Sequence, residues 1–198
     1  MIRAHVLRGA SYHVAANPSV RQRLHDELEK AIPDPTLPPA LSDLERLPYL
    51  SAVIQEGLRI CNPVTHRMGR QFPDKALTCN GYTIPAGSRV GMTAYLTHHD
   101  ERIYGDPWTF RPERWLQGDV RLERYLVPFN RGPRACIGLN LARAELYMIL
   151  ATVFREFDLD VSMVERKRDV DVKHDYILAA QGDESPGILV RVDRLEDG

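Results

Sequence analysis

The residues best able to do chemistry lie together in residues 129–138, which read Phe-Asn-Arg-Gly-Pro-Arg-Ala-Cys-Ile-Gly. The single cysteine of this segment, Cys136, stands where an apolar pattern predicts the start of a buried helix over residues 136–154. A helix N-terminus carries partial positive charge and free N–H groups, and both favour a thiolate over a thiol. The segment therefore predicts an ionised sulfur at the end of a loop.

The residues around Cys136 indicate what such a sulfur would bind. Gly132 and Gly138 carry no side chain where a flat group would have to come close to the backbone. Arg134, two residues before the cysteine, can pair with a carboxylate on that group. A thiolate beneath a planar, carboxylated ligand is the arrangement that ligates haem iron. The alternative is a small buried cysteine in a tight turn before a helix, and the segment alone leaves both interpretations open.

Two further groups of charged residues precede this loop. Glu56 and Arg59 are three residues apart on a helix predicted over residues 48–59, so they face the same side. Arg114 belongs to an aromatic- and arginine-bearing loop, residues 110–115. If both arginines shared the one carboxylate, they would fix this loop against the helix. Taken singly, the helical pair is typical of a solvated ion pair and the loop is typical of a surface turn.

The elements that must position these residues are short and mostly helical. Asn17, followed by proline, predicts a helix start, and residues 48–59 form the next long helical pattern. Asn80-Gly81 predicts a β-hairpin. Residues 105–135 have no clear period and read as a long functional loop. The sequence thus predicts a mainly α fold with small β-sheets.

Composition excludes several classes of function. Lys and Arg total 26 and Asp and Glu total 27, a net charge of −1, which argues against a general nucleic-acid binder. No apolar run approaches the roughly 18 residues of a transmembrane segment. The three cysteines are too few, and odd in number, for a disulfide framework, so an intracellular, reducing compartment is expected.

Together and in this order, these features resemble the cytochrome P450 family. The helix-borne Glu-x-x-Arg motif matches at Glu56 and Arg59, and the Pro-Glu-Arg segment matches at Arg114. The resemblance runs over residues 12–157, and residues 47–59 resemble fungal members of secondary metabolism. The haem-loop motif Phe-x-x-Gly-x-Arg-x-Cys-x-Gly is complete, with its fixed residues at Phe129, Gly132, Arg134, Cys136 and Gly138.

The resemblance implies roles for individual residues. Cys136 would be the axial thiolate ligand of the haem iron, and Phe129 would pack near it and shield it. Arg134 and Arg70 would contact the haem propionates, with His98 as a third contact. The glutamate and the two arginines of the other motifs would form a structural network. Residues 64–66 would border the substrate.

The resemblance also implies a domain and an activity. Residues 1–198 would be a single, truncated domain holding the C-terminal half of the P450 fold, from the helix J region to the C-terminal strands. The distal, O₂-activating helix would be missing, with Ile2 and Arg3 standing near the place of its acid–alcohol pair. The activity would be oxidation of a small apolar metabolite, with electrons from an NADPH-dependent reductase. Full-length relatives would be anchored in the endoplasmic reticulum membrane, whereas this chain lacks an anchor.

Two alternatives to this activity remain open at the level of sequence. The chain would be a non-catalytic P450-derived binding or partner protein that does not turn over, or a haem enzyme that dimerises to close its pocket. With the distal half absent, we expect exposed apolar surface and at most weak activity from the isolated chain.

Overall fold

The computed structural model describes residues 2–195, apart from the side chains of Ile2 and Arg3. The expectation attached to those two side chains therefore lies outside the described residues. The described part is mainly helical with small antiparallel sheets, as the sequence predicts. Its helices are α1 (Ile2–Ala15), α2 (Pro18–Ala31), α3 (Leu41–Leu44), α4 (Pro48–Cys61), α5 (Ala94–His98), α6 (Glu101–Tyr104), α7 (Val120–Tyr125), α8 (Leu139–Glu156) and α9 (Arg166–Asp169).

The strands form two-stranded antiparallel ladders, and one of them, through Leu159, contributes to the core. A hairpin joins β2 and β3, another joins β6 and β7, and the two remaining ladders pair β1 with β4 and β5 with β8. The strands are β1 (Arg70–Gln71), β2 (Leu77–Cys79), β3 (Tyr82–Ile84), β4 (Arg89–Val90), β5 (Phe157–Asp160), β6 (His174–Tyr176), β7 (Leu178–Ala180) and β8 (Arg191–Arg194).

The core is built where α1, α2, α4 and α8 pack against one another. Helix α4 is the central element, since Leu50 and Val53 are completely buried and most of its other residues are buried too. Helix α2 contributes the apolar stripe expected from its sequence, and Leu24 and Leu28 on that stripe are fully buried. A charged helix with one apolar face thus covers a helix that is buried on nearly every side.

Small residues let α1 and α4 approach closely. A Cβ atom at Gly57 would lie 2.9 Å from the Cβ of Ala10, and a Cβ at Gly9 would lie 2.5 Å from the sulfur of Cys61. Both distances are shorter than carbon and sulfur atoms tolerate without movement of the backbone. The glycine between Glu56 and Arg59 therefore has a packing role of its own.

Helix starts follow ordinary capping chemistry. The Asn17 side chain accepts a hydrogen bond from the Val20 amide, as expected from a residue that precedes Pro18. Helix α4 has no cap from its own flanking residue. The carboxylate of Glu27, on α2, accepts the free amides of Tyr49 and Leu50 at 2.9 and 2.8 Å instead. An anion at a helix N-terminus also interacts favourably with the helix dipole.

The hairpin predicted at Asn80-Gly81 is confirmed. Cys79 pairs with Tyr82, and the two residues between them have φ values of 49° and 81°. Positive φ at both central positions is the geometry of a tight two-residue hairpin turn, which asparagine and glycine tolerate best.

Two predictions about helix boundaries were incomplete. The sequence pattern predicted no helix before Asn17, yet α1 occupies residues 2–15. Its helical period is weak in the sequence because the buried residues of α1 are small or branched, such as Val6, Ala10 and Val14. The helix predicted to start at residue 136 begins instead at Leu139, with Gly138 as its N-cap. The Cys136 carbonyl accepts from the Leu139 amide at 3.4 Å in a tighter turn, and the first α-helical bond runs from the Ala142 amide to the Gly138 carbonyl at 2.9 Å.

Candidate haem site

The cysteine loop is closed by its own backbone. The Cys136 amide donates to the Phe129 carbonyl at 2.9 Å, and the Ala135 amide donates to the Gly132 carbonyl at 3.0 Å. Asn130 and Gly132 both have positive φ, 61° and 79°, which reverses the chain twice within a few residues. A side chain at position 132 would meet no atom, so backbone conformation, rather than space, favours glycine there.

The loop presents its cysteine outward. Residues 131–137 are all exposed, and Ile137 is as exposed as in an open chain, at 106%. A Cβ on Gly138 would stand 4.0 Å from the Cys136 sulfur, so a side chain there would begin to cover the thiol. Phe129 is partly buried and packs against the main core. The loop thus rests on the core at Phe129 and exposes its thiol a few residues later.

The other two cysteines have different surroundings. Cys61 is buried at the end of α4, and burial raises the pKa of its thiol to about 12, which keeps it protonated. Cys79 is exposed, but it lies in the β2–β3 hairpin rather than on a glycine-flanked loop before a helix. Exposure and loop position together single out Cys136.

Glu56, Arg59 and Arg114 are brought together in one buried network. The carboxylate of Glu56 is fully buried and accepts from Arg59 at 3.0 and 2.7 Å and from Arg114 at 3.2 Å. The indole N–H of Trp115 at 2.8 Å and the backbone amide of Arg111 at 3.0 Å also donate to this carboxylate. The tryptophan was not singled out from the sequence, although it ends the same aromatic loop.

The arginines of this network also hold backbone. Arg59 donates to the carbonyls of His98 at 2.8 Å and Pro107 at 2.7 Å, while Arg114 donates to the carbonyl of Tyr104. Every buried side-chain nitrogen and oxygen among the described residues has a hydrogen-bond partner. The network therefore fixes the segment before the cysteine loop against α4, rather than forming a solvated ion pair.

The expectation that His98 contacts a haem propionate is wrong. Its side chain is completely buried, with ring nitrogens bonded to Asn62 and to the amide of Val127 at 2.8 and 3.0 Å. Burial, aided by the nearby charge of Arg59, lowers its pKa to about 3, so the ring is neutral. A neutral imidazole with both nitrogens in use has no donor left for a carboxylate.

The guanidinium groups of Arg70 and Arg134 have no carboxylate partner among residues 2–195. Arg70 lies on β1 and donates only to the carbonyls of Met68 and Gly69. Arg134 is exposed on the cysteine loop. Within residues 2–195, neither guanidinium is within ion-pair distance of a carboxylate, so both are available to an anionic ligand.

The predicted substrate-bordering residues contact a hairpin that the sequence did not indicate. Val64 forms a bridge with Leu178, and the hydroxyl of Thr65 donates to Asp175 at 2.9 Å. This places Tyr176 and Ile177, which are 66% and 60% exposed, beside the residue 64–66 stretch. Nothing local in the sequence signals a pairing between segments more than 100 residues apart.

The donor set of the loop fits a haem better than a metal held by side chains alone. Among the described residues, no group of three or more His, Cys, Asp or Glu side chains is arranged to hold a metal ion. The loop instead offers one exposed thiol, an exposed arginine and a glycine that leaves the sulfur uncovered. A soft thiolate with positive charge nearby suits the iron and the carboxylates of a haem.

Helices of the described part are too short or too polar to cross a lipid bilayer.

Comparison with known proteins supports the same conclusion. The sequence model of the family described as cytochrome P450 matches residues 4–184. A cytochrome P450 monooxygenase of Ascocoryne sarcoides is 44% identical over 183 residues, which are 91% of this chain and 36% of that protein. An N-acetyltryptophan 6-hydroxylase of Emericella nidulans is 38% identical over 95% of this chain and 38% of its own length, and a tryptophan 6-hydroxylase of Fusarium equiseti is 40% identical over 96% and 38%. The chain thus spans somewhat more than a third of the length of these relatives. With a complete haem-loop motif on an exposed loop, and relatives of this similarity, the chain belongs to the cytochrome P450 family.

Proposed function

We propose that this chain is the haem-thiolate part of a fungal P450 monooxygenase that oxidises a small, largely apolar metabolite in secondary metabolism. The observation that carries the proposal is the exposed thiol of Cys136 on a closed loop whose sequence matches the family's haem-binding motif in full. Haem bound through a thiolate supplies the chemistry of O₂ activation and O–O bond cleavage.

The residues of the chain have separate roles in this proposal. Cys136 would hold the iron through its sulfur, and Phe129, which packs on the core, would limit access of water to that sulfur. Arg134 and Arg70 hold the propionates, since both are free of carboxylate partners within the described residues. Gly132 and Gly138 keep the loop free of side chains where the haem approaches.

The substrate is held beside residues 64–66. The bridge between Val64 and Leu178 and the bond from Thr65 to Asp175 keep Tyr176 and Ile177 next to that stretch. Their exposed apolar side chains suit an apolar or aromatic substrate. Two relatives are named as hydroxylases of tryptophan or N-acetyltryptophan, which favours an aromatic ring as the oxidised group.

Electrons would reach the site from an NADPH-dependent reductase, and we expect the protein to work inside the cell, at the endoplasmic reticulum membrane. Arg124, Arg131 and Arg143 are exposed and lie close in sequence to the cysteine loop, so they offer positive charge to an acidic partner. Reversing all three charges should slow reduction and weaken its salt dependence, whereas an unchanged salt dependence would remove the docking role.

The ferrous–CO spectrum of the haem-reconstituted chain tests the proposal. Wild type should give the red-shifted band of thiolate ligation, and Cys136→Ala should abolish it. Cys61→Ala and Cys79→Ala are the matched controls and should keep the band, because one thiol is buried and the other lies in a hairpin. A wild-type chain that folds but takes up no haem would contradict the proposal and favour a binding role without turnover.

A further inference from the structure

His98 occupies a position between the end of α4 and the cysteine loop. It is the last residue of α5, its side chain is completely buried, and its own carbonyl accepts a hydrogen bond from Arg59. Its ring therefore lies between two parts of the chain that are far apart in sequence but both belong to the site described above.

The hydrogen bonds around the ring assign its protonation state. The Val127 amide can only donate, so Nε2 of His98 is an acceptor. The side-chain amide nitrogen of Asn62 donates to the Arg59 carbonyl at 2.6 Å, so its oxygen faces His98 and accepts from Nδ1–H. His98 is thus a neutral imidazole in one tautomer, with one nitrogen bonded to each neighbour.

The backbone carries this connection on to the cysteine. Val127 donates to His98 and, through its carbonyl, accepts from the Asn130 amide at 3.1 Å. Two residues further along, the Phe129 carbonyl accepts from the Cys136 amide at 2.9 Å. The start of the closed loop is therefore hydrogen-bonded, through the His98 side chain, to the residue that caps the end of α4.

We propose that His98 is a positioning residue for the cysteine loop, holding Val127 through Nε2 and thereby setting where the loop that carries Cys136 begins. The loop itself cannot supply this constraint, because residues 131–137 are exposed. The role requires a side chain that accepts at one end and donates at the other, and neutral histidine does both across one ring. The part of the proposal that concerns haem rests on the proposed function, whereas the part that concerns the loop does not.

Two substitutions separate the two ends of the ring. In His98→Gln the side-chain oxygen can reach the place of Nε2 and accept from Val127, whereas in His98→Asn the shorter amide can replace only Nδ1 and keep the bond to Asn62. His99 provides the control, because it bonds to the Tyr95 carbonyl, lies 3.4 Å from the Asn62 side-chain nitrogen and stacks on Trp108 without contacting Val127 or the cysteine loop.

Amide hydrogen exchange of Val127, measured by NMR on the full chain without haem, is the first test. We expect exchange about tenfold faster in His98→Asn than in wild type, and close to wild type in His98→Gln and His99→Asn, since only the first loses the acceptor. A His98→Asn chain that unfolds while His98→Gln stays folded supports the proposal as well, since the two variants differ in which end they keep. Equal exchange in the two His98 variants, or unfolding of both, would overturn it in favour of general packing.

The ferrous–CO spectrum of the haem-reconstituted variants is the second test. We expect His98→Gln to keep the thiolate band and His98→Asn to lose part of it to the band of a neutral thiol, while His99→Asn keeps it. The same band in both His98 variants would overturn the link to Cys136. If wild type binds no haem, the proposed function fails, but the exchange experiment still decides the role of His98.

Discussion

Replacing Glu56 by glutamine should destabilise the chain more than any single surface substitution. The change keeps the size of the side chain but removes the one negative charge that Arg59 and Arg114 share. Glu56 and Arg59 are completely buried and the Arg114 side chain is 3% exposed, so water cannot compensate the two guanidinium groups. The amide NH₂ also replaces one of the two acceptor oxygens, so its hydrogen atoms would face either the indole N–H of Trp115 at Oε2 or the Arg111 amide at Oε1.

The magnitude follows from the burial of these charges. Breaking a buried ion pair by removing one partner costs about 3–5 kcal/mol, because the other charge is left unpaired in the interior. For a domain of this size that corresponds to a fall in Tm of roughly 6–20 °C. Since domains are stable by only about 5–15 kcal/mol, the variant should be close to unfolding at physiological temperature.

Urea unfolding followed by tryptophan fluorescence measures the effect directly. Trp115 donates to the replaced carboxylate, so its emission reports on the same network. Glu29→Gln is the matched control, since Glu29 is exposed on α2 and should change the free energy of unfolding by less than about 0.5 kcal/mol. A loss for Glu56→Gln no larger than that of the control would refute the view that this network holds the segment before the cysteine loop against α4.

Three further predictions concern packing, pH and ligand binding. Gly57→Ala should destabilise the chain by about 1–3 kcal/mol despite the better helix propensity of alanine, because the new Cβ would lie 2.9 Å from that of Ala10; Ala10→Gly in the same chain should restore the urea midpoint. The pKa values of His13 and His98 are lowered by burial from 6.5 to about 3. Between pH 3 and pH 6.5 the unfolded chain therefore binds more protons than the folded chain. The free energy of unfolding, measured in urea, should fall by up to about 1.4 kcal/mol per pH unit for each histidine as the pH drops below 6.5. A free energy of unfolding that does not change with pH in this range would contradict the burial of the two rings. Arg134→Gln should weaken haem retention roughly tenfold without moving the urea midpoint, because the side chain is exposed and free of ion pairs within the described residues.

Local chemistry in the sequence was sufficient for several parts of the fold. The Asn80-Gly81 turn, the Asn17 cap and the apolar stripe of α2 depend on neighbours a few residues away, and the structure contains all three. The contact between Arg114 and Glu56 was also predicted, but from the family resemblance rather than from the spacing of the two residues.

The parts that sequence reasoning missed depend on distant backbone. The family resemblance implied that His98 contacts a propionate, and only the fold reveals that the Val127 amide and Asn62 use both of its ring nitrogens. The start of α8 at Leu139 depends instead on a local turn, in which the Cys136 carbonyl accepts from the Leu139 amide, and the apolar period does not signal that turn. Long-range contacts such as those of His98 leave no mark on local composition.

Stability and ligand binding should therefore be separable in this chain. The buried charges of Glu56, Arg59 and Arg114 lie within the core and before the loop, so their loss acts on folding first and on haem only through it. Residues 131–137 are exposed and contribute little to the core, so substitutions there should act on the ligand with folding intact. His98 lies between these two groups, buried like the first and connected to the second. It follows that His98→Asn should change both the urea midpoint and the thiolate band, whereas His98→Gln should keep the band.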